Sequence, residues 1–571
     1  MTGSGTLADP YVIWDVNDLQ AMKDNLNAYY ELANDIDASR PEWSWASQTR
    51  KPISDISSSG TWEVYPAIPT TKWDKVDEEV QDGDSTYIKA TTDDARAMFG
   101  ISSFSIPGDA EDIDLIVTAY FRNDGSAYSR YKFWIRVNGV NYGQPAGGSL
   151  LKTPYGYFQG AKEWQTNPAT GLAWTIDDIN GIGANPLQGI GISCPDATPA
   201  VFITQIGAMV LCMGFEPIGK YDAGADFIGG FDGKGHKITN LYINRPMMQF
   251  VGLFGFCGDN LAWIRNVGIE NCSVTGWDDT GALAGWSGVG LTGKISNCYA
   301  TGTVTLADLG MGENVDSGGL IGYNGQSVED CYFSGTISLD TIMAQELGGL
   351  IGLNDGALRR CFSEGSFDIT IRPGYYSDSI GGLVGDDSGD ITQCFSTMDI
   401  TVVKLVGDDY SLDGIGGLVG ISGGGYIYFS DCYSRGDVKV TSEATGDVWD
   451  IGGFIGFNDE TIDNCYSTGK VEVTASNKSY IGGFCGDNNN VISDCFWDIE
   501  TSGMLVSAAG TGRTTSQMKT ETTFTNAGWN FTNIWLIVFT CNNHYPCLQN
   551  VTPLCSASIP QVVTLPATGV T

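Results

Sequence analysis

Histidine is nearly absent from this 571-residue chain, which contains only His236 and His544. With only these two, far apart in sequence, there is no H-E-x-x-H and no three-ligand zinc site. His236 belongs to a repeated segment and His544 to the tail, which argues against triad hydrolases as well, though not against carboxylate chemistry. Basic residues are also scarce: 30 Lys and Arg stand against 67 Asp and Glu, a formal charge of −37. No basic stripe can hold a phosphate backbone, so nucleic acid is not an expected partner. The same charge favours solubility and cation binding and weakens any claim to anionic ligands. No apolar run reaches the roughly 18 residues that a membrane helix needs, so membrane insertion is not expected. Met1-Thr2-Gly3-Ser4-Gly5 has neither the charged nor the apolar region of a signal peptide, which leaves a missing signal, another export route or release in a virion as alternatives.

Glycine is abundant, 76 residues, and much of it lies in a repeat. One copy runs Gly318-Gly319-Leu320-Ile321-Gly322, an Asn324-Gly325 turn, Val328-Glu329-Asp330-Cys331-Tyr332, then Gly335-Thr336-Ile337-Ser338-Leu339. The Gly-Gly pair recurs at Gly348, Gly381, Gly416, Gly452 and Gly482, with cysteines at Cys361, Cys394, Cys432, Cys465 and Cys495. Five of these six copies set the cysteine 13 residues after the first glycine, and the copy with Cys432 needs 16. Looser copies lead from Gly252 to Cys272 and from Gly281 to Cys298. A period of roughly 30 to 38 residues signals a solenoid or a propeller instead of one compact core. Alternation in Val438-Lys439-Val440 and Val471-Glu472-Val473 marks one half-buried strand per repeat, and two short apolar runs mark two more. Three strands and three turns make one coil of a β-helix, whereas a propeller blade needs four strands. The expected fold is all-β, a right-handed parallel β-helix.

Coils of a β-helix stack about 4.8 Å apart, so equivalent residues form ladders. The repeat cysteines, seven of them followed by the aromatics Tyr299 to Phe496, are expected as a column of eight buried thiols that includes Cys272. Parallel side chains suit neither four convergent zinc ligands nor a disulfide. The glycine pairs are expected to permit positive φ or close approach of coils. Tips such as Asn324-Gly325, Asn354-Asp355-Gly356 and Asp386-Asp387 read as ordinary turns. Acids recur before the glycine strand at Asp279, Asp316, Glu346, Asp378, Asp413 and Asp450. Like charges stacked near 5 Å cost on the order of 1 kcal/mol per pair in water, so these acids either form a solvated face or share a cation such as Ca²⁺.

Residues 1–42 read as the N-terminal cap of the β-helix. The repeat then vanishes over 43–213, where alternating runs at 115–121, 133–137 and 201–203 lie between Gly, Asn, Asp and Pro turns. That pattern predicts an inserted β-sandwich of jelly-roll type. The β-helix fills 214–500, and 501–558 reads as a C-terminal cap in which Cys541, Cys547 and Cys555 lie close enough for one disulfide. Residues 559–571 read as a linker or the start of a fibronectin type III-like domain, with a sortase pattern at Leu565-Pro566-Ala567-Thr568-Gly569 as the alternative.

These repeats resemble GLUG repeats, the G-G-L-V-G…I-x-N-C-Y motif of bacterial surface proteins. The likeness extends to Phe231-Asp232-Gly233-Lys234-Gly235-His236 near the start and to Trp497-Asp498, Gln517-Met518 and Gly528-Trp529 near the close, about 400 residues in all. It implies an extracellular, cell-surface or virion-surface β-helix of adhesin type. The inserted domain is the departure from that pattern. Asp82-Gly83-Asp84 and Asn167-Pro168-Ala169-Thr170-Gly171 resemble lectin-type jelly rolls of phage and environmental surface proteins, which implies a glycan or cell-surface receptor as partner.

Trp62, Trp73, Trp134, Trp164 and Trp174 of the insert can stack on sugars or fill a core. The predicted carbohydrate contacts are Trp62, Trp73, Trp164 and Trp174. The predicted metal ligands are Asp82 and Asp84 in the insert, with Asp177 and Asp178 as further candidates there, and Asp316, Asp378, Asp413 and Asp450 on the β-helix. No cofactor is required, with Ca²⁺ the one candidate. No catalytic residue is assigned, because a glycosidase needs two carboxylates facing a groove at about 5 to 9 Å and nothing marks one pair. The expected function is non-enzymatic adhesion, receptor binding or surface display, with carbohydrate bound by the sandwich. A self-associating filament or phage-fibre subunit is the first alternative, and a polysaccharide lyase or hydrolase the second.

Overall fold

The computed structural model describes residues 1–551 apart from 41–46, 68–70, 78–84, 108–112, 125–128, 145–148, 152–157, 198, 222–223, 259–262, 289–292, 308–315, 342, 374–375, 407–409, 424–426 and 539–540. Two compact units emerge: one holds residues 1–38, 215–308 and 313–571, and the other holds residues 39–214.

The first unit is a parallel β-solenoid. Its 11-stranded sheet starts with Tyr11–Ile13 and Tyr29–Leu32 and continues from Gly230–Asp232 to Ile492–Ser493. Tyr30 pairs with Phe231 and Ile36 with Ile238, so the ladder continues across the long gap in sequence. Each full coil carries four strands where the repeat suggests three; one coil has Ser317–Gly318, Ile321–Asn324, Ser327–Glu329 and Tyr332–Thr341. The glycine leg breaks in two because the coils touch there. A Cβ on Gly349 would lie 1.8 Å from the Gly382 carbonyl oxygen, and one on Gly319 would lie 2.3 Å from the Phe333 ring. Left-handed backbone falls to other residues. Asn297, Asp330, Asp431, Asn464 and Asp494, each one position before a column cysteine, have φ between 49° and 57°. Asn and Asp tolerate that region best among residues with a Cβ, which explains the recurring Asn-Cys and Asp-Cys pairs.

The ladders inside the coils differ from expectation in two respects. Gly268 pairs with Tyr299, so Val267 takes the place opposite Cys298, and Cys272 pairs with Gly302 on the following leg. The column therefore contains seven thiols, Cys298 to Cys495, all buried. Cys361, Cys394, Cys432 and Cys465 each donate a backbone N–H to the next coil's sulfur at 3.3–3.4 Å. Burial pushes Cys331, Cys394 and Cys465 well above the usual thiol range, so these thiols stay protonated. Asn324, Asn354 and Asp387 are strand residues, not turn tips, and are fully buried. Asn324 Nδ2 donates to Asn354 Oδ1 and Asn354 Nδ2 to Asp387 Oδ1, both at 2.7 Å.

Rings from Tyr299 to Tyr466 stack along one side at 4.6–5.1 Å. The closing segment does not simply cap the end; it lies back over this stack. Thr511–Arg513 pairs with Phe496–Asp498, and Phe524, Trp529, Trp535, Tyr545 and Leu548 join Phe395, Tyr433, Tyr466 and Phe496 in one core. Burying such side chains contributes about 1.5 to 3 kcal/mol each, which is why the chain folds back. Trp535 Nε1 donates to Asp431 Oδ1 at 2.8 Å. Cys541 is disulfide-bonded and Cys547 is free, while Cys555 lies outside the described residues.

The second unit contains two antiparallel six-stranded sheets. One runs in the order Val140–Gly143, Ser129–Val137, Leu187–Asp196, Ala95–Ile101, Pro52–Ser59, with Ser149–Leu151 beside Ser129–Val137. The other runs Phe158–Trp164, Ile113–Asn123, Val201–Cys212, Tyr87–Ala90, Trp62–Tyr65, with Gln48–Arg50 beside Val201–Cys212. Phe99, Phe133, Ile135, Ile190 and Ile192 of the first sheet share a core with Val117, Phe121, Val201 and Ile203 of the second.

Candidate functional site

Period-two alternation in Ser129–Val137 sends Tyr131, Phe133, Ile135 and Val137 into the core and leaves Arg130, Lys132, Trp134 and Arg136 on the outer face. Register then sets these residues over a floor of small ones. Trp134 lies between Gly143 and Gly191; Lys132 lies opposite Ser193, which lies opposite Arg96. Arg136 lies opposite Gly189, followed by Gly100 and Ser54. Glycine is needed beside the indole, because a Cβ on Gly143 would come within 2.8 Å of the Trp134 ring. Trp134 Nε1 donates to Ser193 Oγ at 2.8 Å. The Arg96 guanidinium lies 4.7 Å and the Lys132 ammonium 5.2 Å from the Trp134 ring centroid. Arg130 pairs with Asp196 at 3.4 Å, whereas neither Arg96 nor Lys132 forms an ion pair among the described residues.

The predicted tryptophan contacts lie elsewhere. Trp164 and Trp174 are 8% and 6% exposed in the sandwich core, where Trp174 Nε1 donates to the Trp164 carbonyl at 2.6 Å. Trp62 and Trp73 are half-buried against the same core. Sandwich packing consumes the Trp164 and Trp174 rings, whereas Trp62 and Trp73 stay partly exposed, as Trp134 does. Trp134 is the one on the outer rows, and the charged residues alternating around it are the sequence signal that singles it out. Asp82 and Asp84 lie outside the described residues. Asp178 is buried and accepts from Asn167 Nδ2 at 3.1 Å and the Asn185 N–H at 2.9 Å, so its oxygens serve the fold.

The acids of the solenoid occupy two positions, not one. Asp279, Asp316, Glu346 and Asp450 hold a left-handed corner with φ of 44–55°; the equivalent residues in other coils include Ser379 and Gly414. Asp378 and Asp413 stand one residue earlier, so they fall out of line with Asp316 and Asp450. These acids are not a solvated face. Asp279 is 5% exposed, and its Oδ1 has no partner among the described residues. Burial, reinforced by Asp278 and Glu346, pushes Asp279 up to about 9. Burial and a hydrogen bond with Asp316 push Glu346 up to about 9. Burial likewise raises Asp316 and Asp413 to about 6 and Asp450 to about 7. Asp386, on the adjacent strand Val384–Asp387, rises to about 7 through burial and its neighbours Glu346 and Asp378. Asp378, also raised by burial, accepts from Tyr376 and from Gln345 Nε2 at 3.0 Å. At neutral pH Asp279 and Glu346 thus keep their protons. Among the described residues no three His, Cys, Asp or Glu side chains converge as a metal-binding group. The carboxyls follow one another along the coils, whereas glycoside hydrolysis requires two that face each other across a groove.

The coils form a β-solenoid, and two stretches of it, residues 313–338 and 447–472, match the GLUG motif. Among relatives, halomucin of Haloquadratum walsbyi is 44% identical over 110 residues, 19% of this chain and 1% of that protein. An Evansella cellulosilytica protein described as a Gly-rich membrane protein is 35% identical over 101 residues, 17% of this chain and 12% of that protein. The chain therefore spans only a small part of the curated relatives it matches. Among solved structures, a Bacteroides ovatus protein described as an immunoglobulin A1 protease aligns with a TM-score of 0.34 at 14% identity, covering 96% of this chain and 94% of that one. A likeness at that score transfers no activity. Among the described residues no helix is long and apolar enough to cross a membrane.

Proposed function

We propose that this chain is a non-catalytic, glycan-binding segment of a surface protein, in which the solenoid is the scaffold and the sandwich holds an acidic glycan. The observation that carries this reading is the outer face of the sandwich. There Arg96 and Lys132, without ion-pair partners among the described residues, flank Trp134 beside glycine and serine in a chain of net charge −37. In a protein with 67 acids, an unpaired cation is one kept from the nearest carboxylate. Such cations suit a carboxylate or sulfate group brought by a ligand, and arginine adds a planar fork for either. The neighbouring serines and Asn141 supply hydroxyl and amide groups for sugar hydroxyls.

Net charge alone weakens the case for an anionic ligand, yet charges more than about 8 Å away are largely screened at physiological salt. The four cations on this face set the local field instead. The names of the two relatives, a halomucin and a membrane protein, support placing the chain at a cell surface. A glycan array probed with the whole chain tests the reading. Glycans bearing uronate or sulfate should be retained over neutral ones, and the Arg96→Gln/Lys132→Gln chain should lose retention of the sulfated ones. Equal retention of neutral glycans would overturn the proposal.

A further inference from the structure

We infer that the solenoid carries a second, separate site for an acidic mono- or disaccharide, in the groove where the closing segment lies against the coils. The groove is a shallow depression open to solvent, with a volume of about 520 Å³, and is lined by Arg435, Asp437, Thr468, Lys519, Asn543 and Tyr545, among others. That volume is ordinary for a small-ligand site. None of these residues belongs to the sandwich, so the inference does not depend on the Trp134 face.

Two cations converge here on one ring. The Arg435 guanidinium lies 5.0 Å and the Lys519 ammonium 4.7 Å from the Tyr545 ring centroid. The acid nearest the ring is already committed. Asp498 is fully buried and accepts from the Tyr545 hydroxyl at 2.7 Å, from Thr515 Oγ1 at 3.0 Å, and from the N–H groups of Glu500 and Thr501 at 2.9 and 3.2 Å. Arg435 Nε donates to Thr468 Oγ1 at 3.2 Å and its Nη1 to Asn542 Oδ1, which fixes the guanidinium. Among the described residues neither Arg435 nor Lys519 forms an ion pair, and Arg435 Nη2 has no partner.

The loop across the groove is strained. Asn542, Asn543 and His544 are three consecutive residues in the left-handed region, with φ of 48°, 50° and 70°. Such runs persist where the surrounding structure imposes a shape, and they concentrate at ligand sites. The lining also contains one acceptor of its own. Asp437 takes the Lys470 N–H on Oδ1 at 2.8 Å, which leaves Oδ2 for a sugar hydroxyl. Cations for an acidic group, with a carboxylate and threonine hydroxyls for its neighbours, match a uronic acid better than a bare anion.

Calorimetric titration of the full chain carrying Arg96→Gln/Lys132→Gln, which silences the sandwich face, tests the site. The probes are digalacturonate, the neutral disaccharide digalactose, and sodium sulfate. Digalacturonate should bind one to one and at least tenfold more tightly than digalactose or sulfate. Adding Lys519→Gln, which removes only the group over the Tyr545 ring, should weaken it at least tenfold, and Arg435→Gln should do the same. Lys439→Gln, on an exposed strand position of the solenoid, should leave it unchanged. Sulfate binding as tightly as digalacturonate would reduce the groove to an anion site and overturn the saccharide assignment. No binding of digalacturonate, or binding indifferent to Lys519→Gln in a chain with unchanged melting, would overturn the site itself.

Discussion

Replacing Asp279 with asparagine should stabilise the chain at pH 7 and leave its stability unchanged near pH 4. Asp279 is almost fully buried with Asp278 and Glu346 for neighbours, and it keeps its proton to about pH 9 instead of the ordinary 3.8. Between those values the unfolded chain is ionised and the folded chain is not, so folding takes up a proton. Stability therefore falls as pH rises from about 4 to about 9 and is level outside that window. Each pH step in the window is worth about 1.4 kcal/mol, so by pH 7 this one carboxyl costs roughly 4 kcal/mol relative to acid conditions. Asparagine has nearly the same shape and no proton to take up, so that part of the pH dependence should vanish. Guanidinium unfolding of the wild-type and Asp279→Asn chains at pH 4, 5.5 and 7 measures the difference directly. Parallel pH profiles for the two chains would refute the argument. A variant less stable at pH 7 would show that the carboxylate is ionised and held by a partner.

Gly349→Ala should lower stability by about 3 kcal/mol or more, because its Cβ would lie 1.8 Å from the Gly382 carbonyl and only backbone movement relieves that contact; a melting midpoint within a degree of wild type would contradict the reading. Asn354→Ala should cost about 1 to 3 kcal/mol for each buried partner left unpaired, Asn324 and Asp387, and thermal melts check it. Calcium at matched ionic strength should raise the melting midpoint more at about pH 8 than at about pH 5, since it must replace protons at Asp316, Glu346 and Asp386. Equal midpoints with calcium and with chelator at the higher pH would rule out a cation at this corner.

The solenoid was legible because its period is carried by residues with one dominant role. The 13-residue step from Gly348 to Cys361 recurs in five of the six Gly-Gly copies, where two coils touch at a glycine and close at a cysteine. The short leg Ser317–Gly318 was not legible, since two residues are too few to show alternation. Cys272 misled because spacing alone cannot tell a residue's leg; only the pairing of Gly268 with Tyr299 shows that Val267 fills the thiol's place. The acids misled for a related reason. A one-residue offset separates Asp378 from Ser379 and Asp413 from Gly414, and that offset decides which residue takes the left-handed corner. Burial at that corner depends on packing between coils, which local sequence does not encode. On the sandwich, Trp164 and Trp174 look like Trp134 in sequence. What distinguishes Trp134 is its neighbours: Lys132 and Arg136 on its own strand are readable, but Arg96, Gly143 and Gly191 reach it only through cross-strand register.

The central claim, that the Trp134 face of the sandwich holds an acidic glycan, is tested most directly by equilibrium titration of the full chain carrying Lys519→Gln, which silences the groove of the solenoid, with polygalacturonate and dextran sulfate, and with neutral dextran as the comparison. The account predicts binding of at least one acidic polymer, no binding of dextran, and a further loss of tenfold or more when Arg96→Gln/Lys132→Gln or Trp134→Ala is added to Lys519→Gln, while the melting midpoint stays unchanged. Acidic-polymer binding that survives all three substitutions, or dextran binding as tight as either acidic polymer, would contradict it.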